Sequence, residues 1–251
     1  MSPLRSLLAA FVIVAATYAD APAAKQTGGL LSARPAVAAD VQPVAGRHRL
    51  RAGILYVPET IPPGTAAPFL LLLHGAGGRG DDMIRRFKAQ ADARGIILLA
   101  PDSAERTWDV VLAIMANRHA SPSFGRDVRR IDAVLTEAFA RVRADPQRAA
   151  VAGFSDGATM ALSLGSRNTA LFPATLAFSA GGMVPDWSGP PGRVFFAHGK
   201  KDSVLPIATA RDWLAPSLSA TGFDVTFDTF DGGHELPEAV LEQAMVWWLG
   251  R

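Results

Sequence analysis

The 251-residue chain is predicted to be an α/β protein, with a mostly parallel central sheet flanked by helices. Three observations predict it. Short continuous apolar runs ended by glycine, such as "PFLLLLHG" (68–75), mark strands buried on both faces. Helix-length segments with charged faces alternate with those runs from residue 81 onward. Composition agrees: 49% of residues are hydrophobic and 19% charged, and neither an internal repeat nor a second domain is visible.

The elements follow in order. "HRLRAGILYVPE" suggests an early strand, so the folded domain (47–251) should begin near residue 47. After the 68–75 strand come a helix over 81–95, a strand over 96–101, a helix over 125–143 and a strand over 148–154. A helix then runs from Ser155 to about Ser166, followed by strands at 174–180 and 193–199. A helix at 207–222, despite Pro216, a strand at 224–230 and a helix at 237–250 complete the chain. This rhythm requires right-handed crossovers, and binding sites in such sheets lie at the carboxyl ends of the strands.

The N-terminus reads differently. "MSPLR" is followed by the apolar stretch "SLLAAFVIVAATYA" and then by small residues, the pattern of a secretory signal peptide over 1–23, with a retained anchor as the alternative. Export to the periplasm or the outside, without stable membrane insertion after removal of the signal, is the expectation. Residues 24–46, rich in Ala, Gly and Pro and without sustained period, read as a linker or loosely docked arm.

Charge and cysteine content exclude several classes. The net charge is only +2, and the basic residues fall at helical spacing (Arg126, Arg129, Arg130; Arg141, Arg143), as on solvated helix faces rather than in a nucleic-acid patch. With no cysteine, the chain can form no disulfide, thiolate nucleophile or cysteine-based zinc site. The glycine run in "LHGAGGRGDD" lacks the spacing of a phosphate cradle. No metal or organic cofactor is expected.

"GFSDG" (153–157) is a GxSxG sequence between a predicted strand and a predicted helix, the setting of a nucleophile elbow. The flanking glycines keep a tight turn free of collision and place Ser155 at a helix N-terminus, where the backbone dipole favours developing negative charge. A serine hydroxyl needs a base and an orienting acid. Two histidines lie downstream. His198 ends an apolar strand and reads as a turn brace, whereas His234, on the loop "FDGGHELP", is the candidate base. Asp202, in the turn beyond the strand "RVFFAHG", is the candidate acid, with Asp231 as its rival. The amides of Asp156 and Ala76 are the candidate oxyanion donors. His74 is expected to hold the Ala76 loop, and the Asp156 carboxylate to cap its helix. Trp108, beyond the strand at 96–101, is a candidate substrate-binding residue, with packing under a loop as the alternative; Met183 and Trp187 are weaker pocket candidates.

Together "LLLHGAGG", "GFSDGATMALSLG", "HGKKDSVLP" and "DGGHELP" resemble the α/β-hydrolase superfamily, specifically its phospholipase/carboxylesterase and dienelactone-hydrolase-like serine esterases, across roughly residues 50–250. The resemblance implies Ser155 as nucleophile, Asp202 as acid, His234 as base and the Ala76 and Asp156 amides as oxyanion donors. Two departures stand out. Asp156 follows the serine where related esterases often carry Gln, His or Met, and the segment before "RVFFAHG" is too short for a helical lid. The expected reaction is serine-dependent hydrolysis of a small or polymeric ester, without nucleic-acid partners. A polyester depolymerase, a feruloyl-type esterase or a serine peptidase could use the same triad, and a non-catalytic binding protein of this fold is the alternative of a different class.

Overall fold

A computed structural model describes residues 28–35, 43–116, 124–185 and 189–250. The expected signal peptide, Trp187 and part of the 24–46 arm lie outside the described residues. An eight-stranded sheet in the order β1-β2-β4-β3-β5-β6-β7-β8 forms the centre. The expected early strand is a hairpin, β1 (Gly46–Leu50) and β2 (Gly53–Val57), and β2 lies antiparallel to β4 (Ile97–Pro101). From β4 the sheet is parallel through β3 (Ala67–Leu73), β5 (Ala144–Phe154), β6 (Ala174–Phe178), β7 (Arg193–Gly199) and β8 (Asp224–Phe230).

The pleat of β3 explains its unbroken apolar run. Phe69, Leu71 and Leu73 pack on one face with residues of α2 (Asp109–Ala116), α3 (Arg126–Phe139) and α4 (Asp156–Arg167). Leu70 and Leu72 pack on the other with α1 (Gly80–Arg94) and α7 (Glu238–Leu249). A strand covered on both sides must be apolar at every position. Helix α1 begins with the Arg79 N–H donated to Asp82 Oδ2 at 2.8 Å and ends at Gly95, whose φ of 62° is the left-handed conformation that closes helices.

Three segments differ from expectation. Helix α2 falls in a stretch for which the sequence predicts no helix, because "DVVLAIMA" is apolar on all sides and shows no amphipathic period. The 207–222 helix is compound: α5 (Ile207–Thr209), a π-helical turn (Ala210–Leu214) and α6 (Ala215–Ala220). Pro216, which cannot donate an N–H, enters α6 directly after the π-helical turn, where the regular i to i−4 ladder is already interrupted. The described part of the arm, 28–35, is docked rather than loose. Leu31 N–H is donated to Asn168 Oδ1, Asn168 Nδ2 donates to Gly29 O, and the Ser32 and Ala33 amides bond to Asp132, while Leu31 and Ala33 are buried in the core. That core contact and the fixed amide donors could not be read from an aperiodic sequence.

Candidate active site

Four connections at the carboxyl ends of the parallel strands converge on Ser155. The residue joins β5 to α4 with φ 58° and ψ −123°, an unusual conformation for a non-glycine residue and costing about 1–3 kcal/mol. Backbone bonds hold the kink: Ser155 N–H is donated to Phe178 O, and Ser179 N–H to Ala197 O, both at 2.9 Å, extending the ladder just past the strand ends. The two glycines are sterically required. A Cβ on Gly153 would sit 2.0 Å from Gly157 O, and one on Gly157 2.0 Å from Leu73 O. Ser155 therefore stands at the N-terminus of α4, whose first-turn amides have no intrahelical acceptor.

The turn after β7 and the loop after β8 supply the partners. Lys200 N–H is donated to Phe230 O and Lys201 N–H to Gly232 O, and a Cβ on Gly199 would lie 2.2 Å from Gly233 O. This backbone-on-backbone packing sets the position of His234 relative to Asp202. His234 Nδ1 is 2.8 Å from Asp202 Oδ2, and its Nε2 is 2.8 Å from Ser155 Oγ. The Phe154 ring lies against the imidazole at a centroid distance of 4.8 Å.

The Asp202 side chain is wholly buried, whereas that of His234 is 16% exposed at the open end of the relay. Burial works against the Asp202 charge. Even so, hydrogen bonds from His234 and from the Leu205 and Val204 amides hold the carboxyl below its ordinary range, so it is ionised at neutral pH. Asp231 is exposed and pairs with Lys200 at 3.2 Å, and it takes no part in the Ser155–His234–Asp202 chain.

Ala76 lies exposed on the loop between β3 and α1, whose form is set by its neighbours. Gly77 N–H is donated to Arg106 O and Gly78 N–H to Gly75 O. His74 braces this loop: its Nε2 accepts Ser103 N–H at 3.1 Å, which leaves the proton on Nδ1 to be donated to Gly75 O at 2.8 Å. Ala76 precedes the Gly77 and Gly78 turn, and Asp156 is the first residue of α4, where a backbone N–H has no intrahelical acceptor.

Two expectations are corrected here. Trp108 does not line the site. It is 0% exposed, its indole N–H is donated to His74 O at 2.8 Å, and its ring lies 4.8 Å from the His74 ring, so it packs under the loop. Nor does the Asp156 carboxylate cap α4: it accepts the Thr107 hydroxyl, tying the α2 approach to the residue after Ser155. Met183 is buried with the core residues beneath this end of the sheet. Neither Thr107 nor Phe154 stood out in the sequence; the only signal for Phe154 was its place inside the GxSxG pentapeptide.

The chain is similar to known proteins in sequence and in fold. The sequence profile of the phospholipase/carboxylesterase family matches residues 59–247. The putative esterase NocK of Nocardia uniformis subsp. tsuyamanensis is 32% identical over 158 residues, which make up 60% of this chain; the chain spans only 42% of the length of that protein. A carboxylesterase from Mesorhizobium loti superposes with a TM-score of 0.64 at 18% identity, covering 82% of this chain and 100% of the other. A phospholipase/carboxylesterase from Dyadobacter fermentans superposes at 0.62 with 20% identity, covering 82% and 99%. At those identities the structural likeness speaks for the fold.

Proposed function

The chain belongs to the phospholipase/carboxylesterase family; from that premise we propose that it is an ester-hydrolysing serine hydrolase in which Ser155, His234 and Asp202 carry out the hydrolysis through an acyl-enzyme. The single observation that supports this reading most is the continuous relay Ser155 Oγ to His234 Nε2 and His234 Nδ1 to Asp202 Oδ2, each step 2.8 Å.

In the first half-reaction His234 Nε2 takes the Ser155 proton while Oγ attacks the ester carbonyl carbon. Ionised Asp202 keeps the second ring proton on Nδ1 and stabilises the imidazolium. The carbonyl oxygen, now an oxyanion, is received by the Ala76 and Asp156 amides and by the N-terminal dipole of α4. His234 returns the proton to the departing alkoxide, and the alcohol leaves. A water deprotonated by His234 then attacks the acyl-enzyme, and Ser155 recovers its proton as the acid is released.

Hydrolysis of p-nitrophenyl esters from acetate to palmitate, by wild type and by folded Ser155→Ala, tests the assignment. A loss of about 10³-fold or more in the variant is expected, and unchanged hydrolysis would refute Ser155 as nucleophile. Among the described residues no helix lies between β6 and β7, which favours access by bulky or polymeric esters. If a covalent serine probe labels Ser155 while the p-nitrophenyl series is inert, polymeric esters become the substrate class. We also infer export through the 1–23 signal, and N-terminal sequencing of the mature protein that found Met1 intact would exclude it.

A further inference from the structure

The proposed reaction leaves one buried histidine unused. His198, near the end of β7, is 1% exposed and lies beneath the turn that carries the acid. Its Nε2 is 2.7 Å from Leu205 O, and because a carbonyl oxygen only accepts, Nε2 carries the proton. The same Nε2 lies 3.3 Å from Asp202 Oδ2, the oxygen that faces His234. The other carboxylate oxygen, Oδ1, accepts the Val204 and Leu205 amides at 2.9 and 2.8 Å. Leu205 thus donates to the acid through its N–H and is held by His198 through its C=O. Burial pushes the His198 pKa down, with Asp202 and His234 as the titratable groups acting on it, so the ring is neutral and adds a directed dipole without cancelling the carboxylate charge.

We propose that His198 is a positioning residue for the acid: its Nε2–H is donated to the Leu205 carbonyl and so anchors the turn whose Leu205 amide holds Asp202 Oδ1, while the ring edge faces Oδ2 at 3.3 Å, and together these set the direction in which the carboxylate meets His234. This rests on the triad reading above. Without the ring N–H, the turn would lose its carbonyl anchor and Oδ2 would lose the partial positive charge that faces it at 3.3 Å. The Asp202 carboxylate would shift with the loosened turn despite its two amide donors, and, less stabilised, would hold a charged His234 more tightly.

The test compares His198→Phe, which keeps an aromatic ring but has no donor, with His198→Gln, whose amide nitrogen falls near the position of Nε2. For His198→Phe, kcat on a p-nitrophenyl ester should fall about tenfold with KM nearly unchanged. The acid limb of kcat/KM should move up by roughly half a pH unit, since a carboxylate that loses a facing N–H dipole is less stabilised and favours the charged form of the base beside it. His198→Gln should restore most of both. A folded His198→Phe with wild-type kcat and an unmoved limb would overturn the proposal, as would a loss of thermal stability in both variants with no change in the pH profile. If His198→Phe does not fold, His198→Asn, whose amide cannot reach the Nε2 position, takes its place with the same expected outcome. Ser155→Ala measured alongside separates the two failures: an active Ser155→Ala refutes the triad, whereas an inactive one with an unaffected His198→Phe refutes only the role of His198.

Discussion

The Asp156 carboxylate, one residue beyond Ser155, accepts the hydroxyl hydrogen of Thr107. The backbone of Asp156 is a proposed oxyanion donor while its side chain carries a negative charge close by, and the Thr107 bond holds that charge towards α2. A carboxylate near an oxyanion opposes it, and it opposes an anionic substrate more. Asp156→Asn is therefore expected to raise kcat/KM several-fold for a neutral ester, and by about tenfold for one bearing a carboxylate, partial exposure damping both effects. Paired assays with acetate and hemisuccinate esters of p-nitrophenol check this; equal gains for both would remove Asp156 as a charge filter.

The elbow tolerates no side chain at Gly157. With Leu73 O only 2.0 Å from the Cβ that alanine would add, β3 and α4 must separate. Gly157→Ala should cost about 3 kcal/mol or more, to be read as a lower urea midpoint, and a midpoint equal to wild type would contradict the packing described.

The docked arm is a stability element distant from the chemistry. Buried Asn168 bonds to Leu31 N, Gly29 O and Leu164 O. Asn168→Ala leaves the first two backbone groups of the arm without partners and is expected to cost about 2 kcal/mol. Because Ser155, His234 and Asp202 lie elsewhere, kcat well below the melting temperature should not change. A large fall in kcat would show that the arm reaches the site.

Acid should loosen the Asp202 turn in two stages. His198 is pushed below its unfolded value, so the stability it contributes is complete above about pH 6.5 and is lost as pH falls through its lower folded pKa. Asp202 is likewise depressed, and its contribution, complete above about pH 3.9, is lost at still lower pH. Thermal melts should therefore show a decline below about pH 6.5 that is missing in His198→Gln. The same decline in both proteins would place its origin elsewhere.

Much of this protein is determined by its sequence alone. The apolar runs specify the parallel strands because a doubly covered strand must be hydrophobic throughout, and GxSxG between a strand and a helix specifies the elbow because no other residue fits within 2.0 Å of a neighbouring carbonyl. Asp202 is marked by its place in the turn beyond an apolar strand and His234 by its glycine-flanked loop, while chain order alone leaves Asp231 as a rival acid. Tertiary structure decided what depends on who meets whom across the fold. Trp108 turned inward because its indole N–H found His74 O, Asp156 found Thr107, and the aperiodic arm found Asp132 and Asn168. His198 became a partner of Asp202 only when the turn after β7 folded back over it. Local patterns report which face of an element is buried, whereas a polar side chain joins a site through distant donors and acceptors that no local pattern encodes.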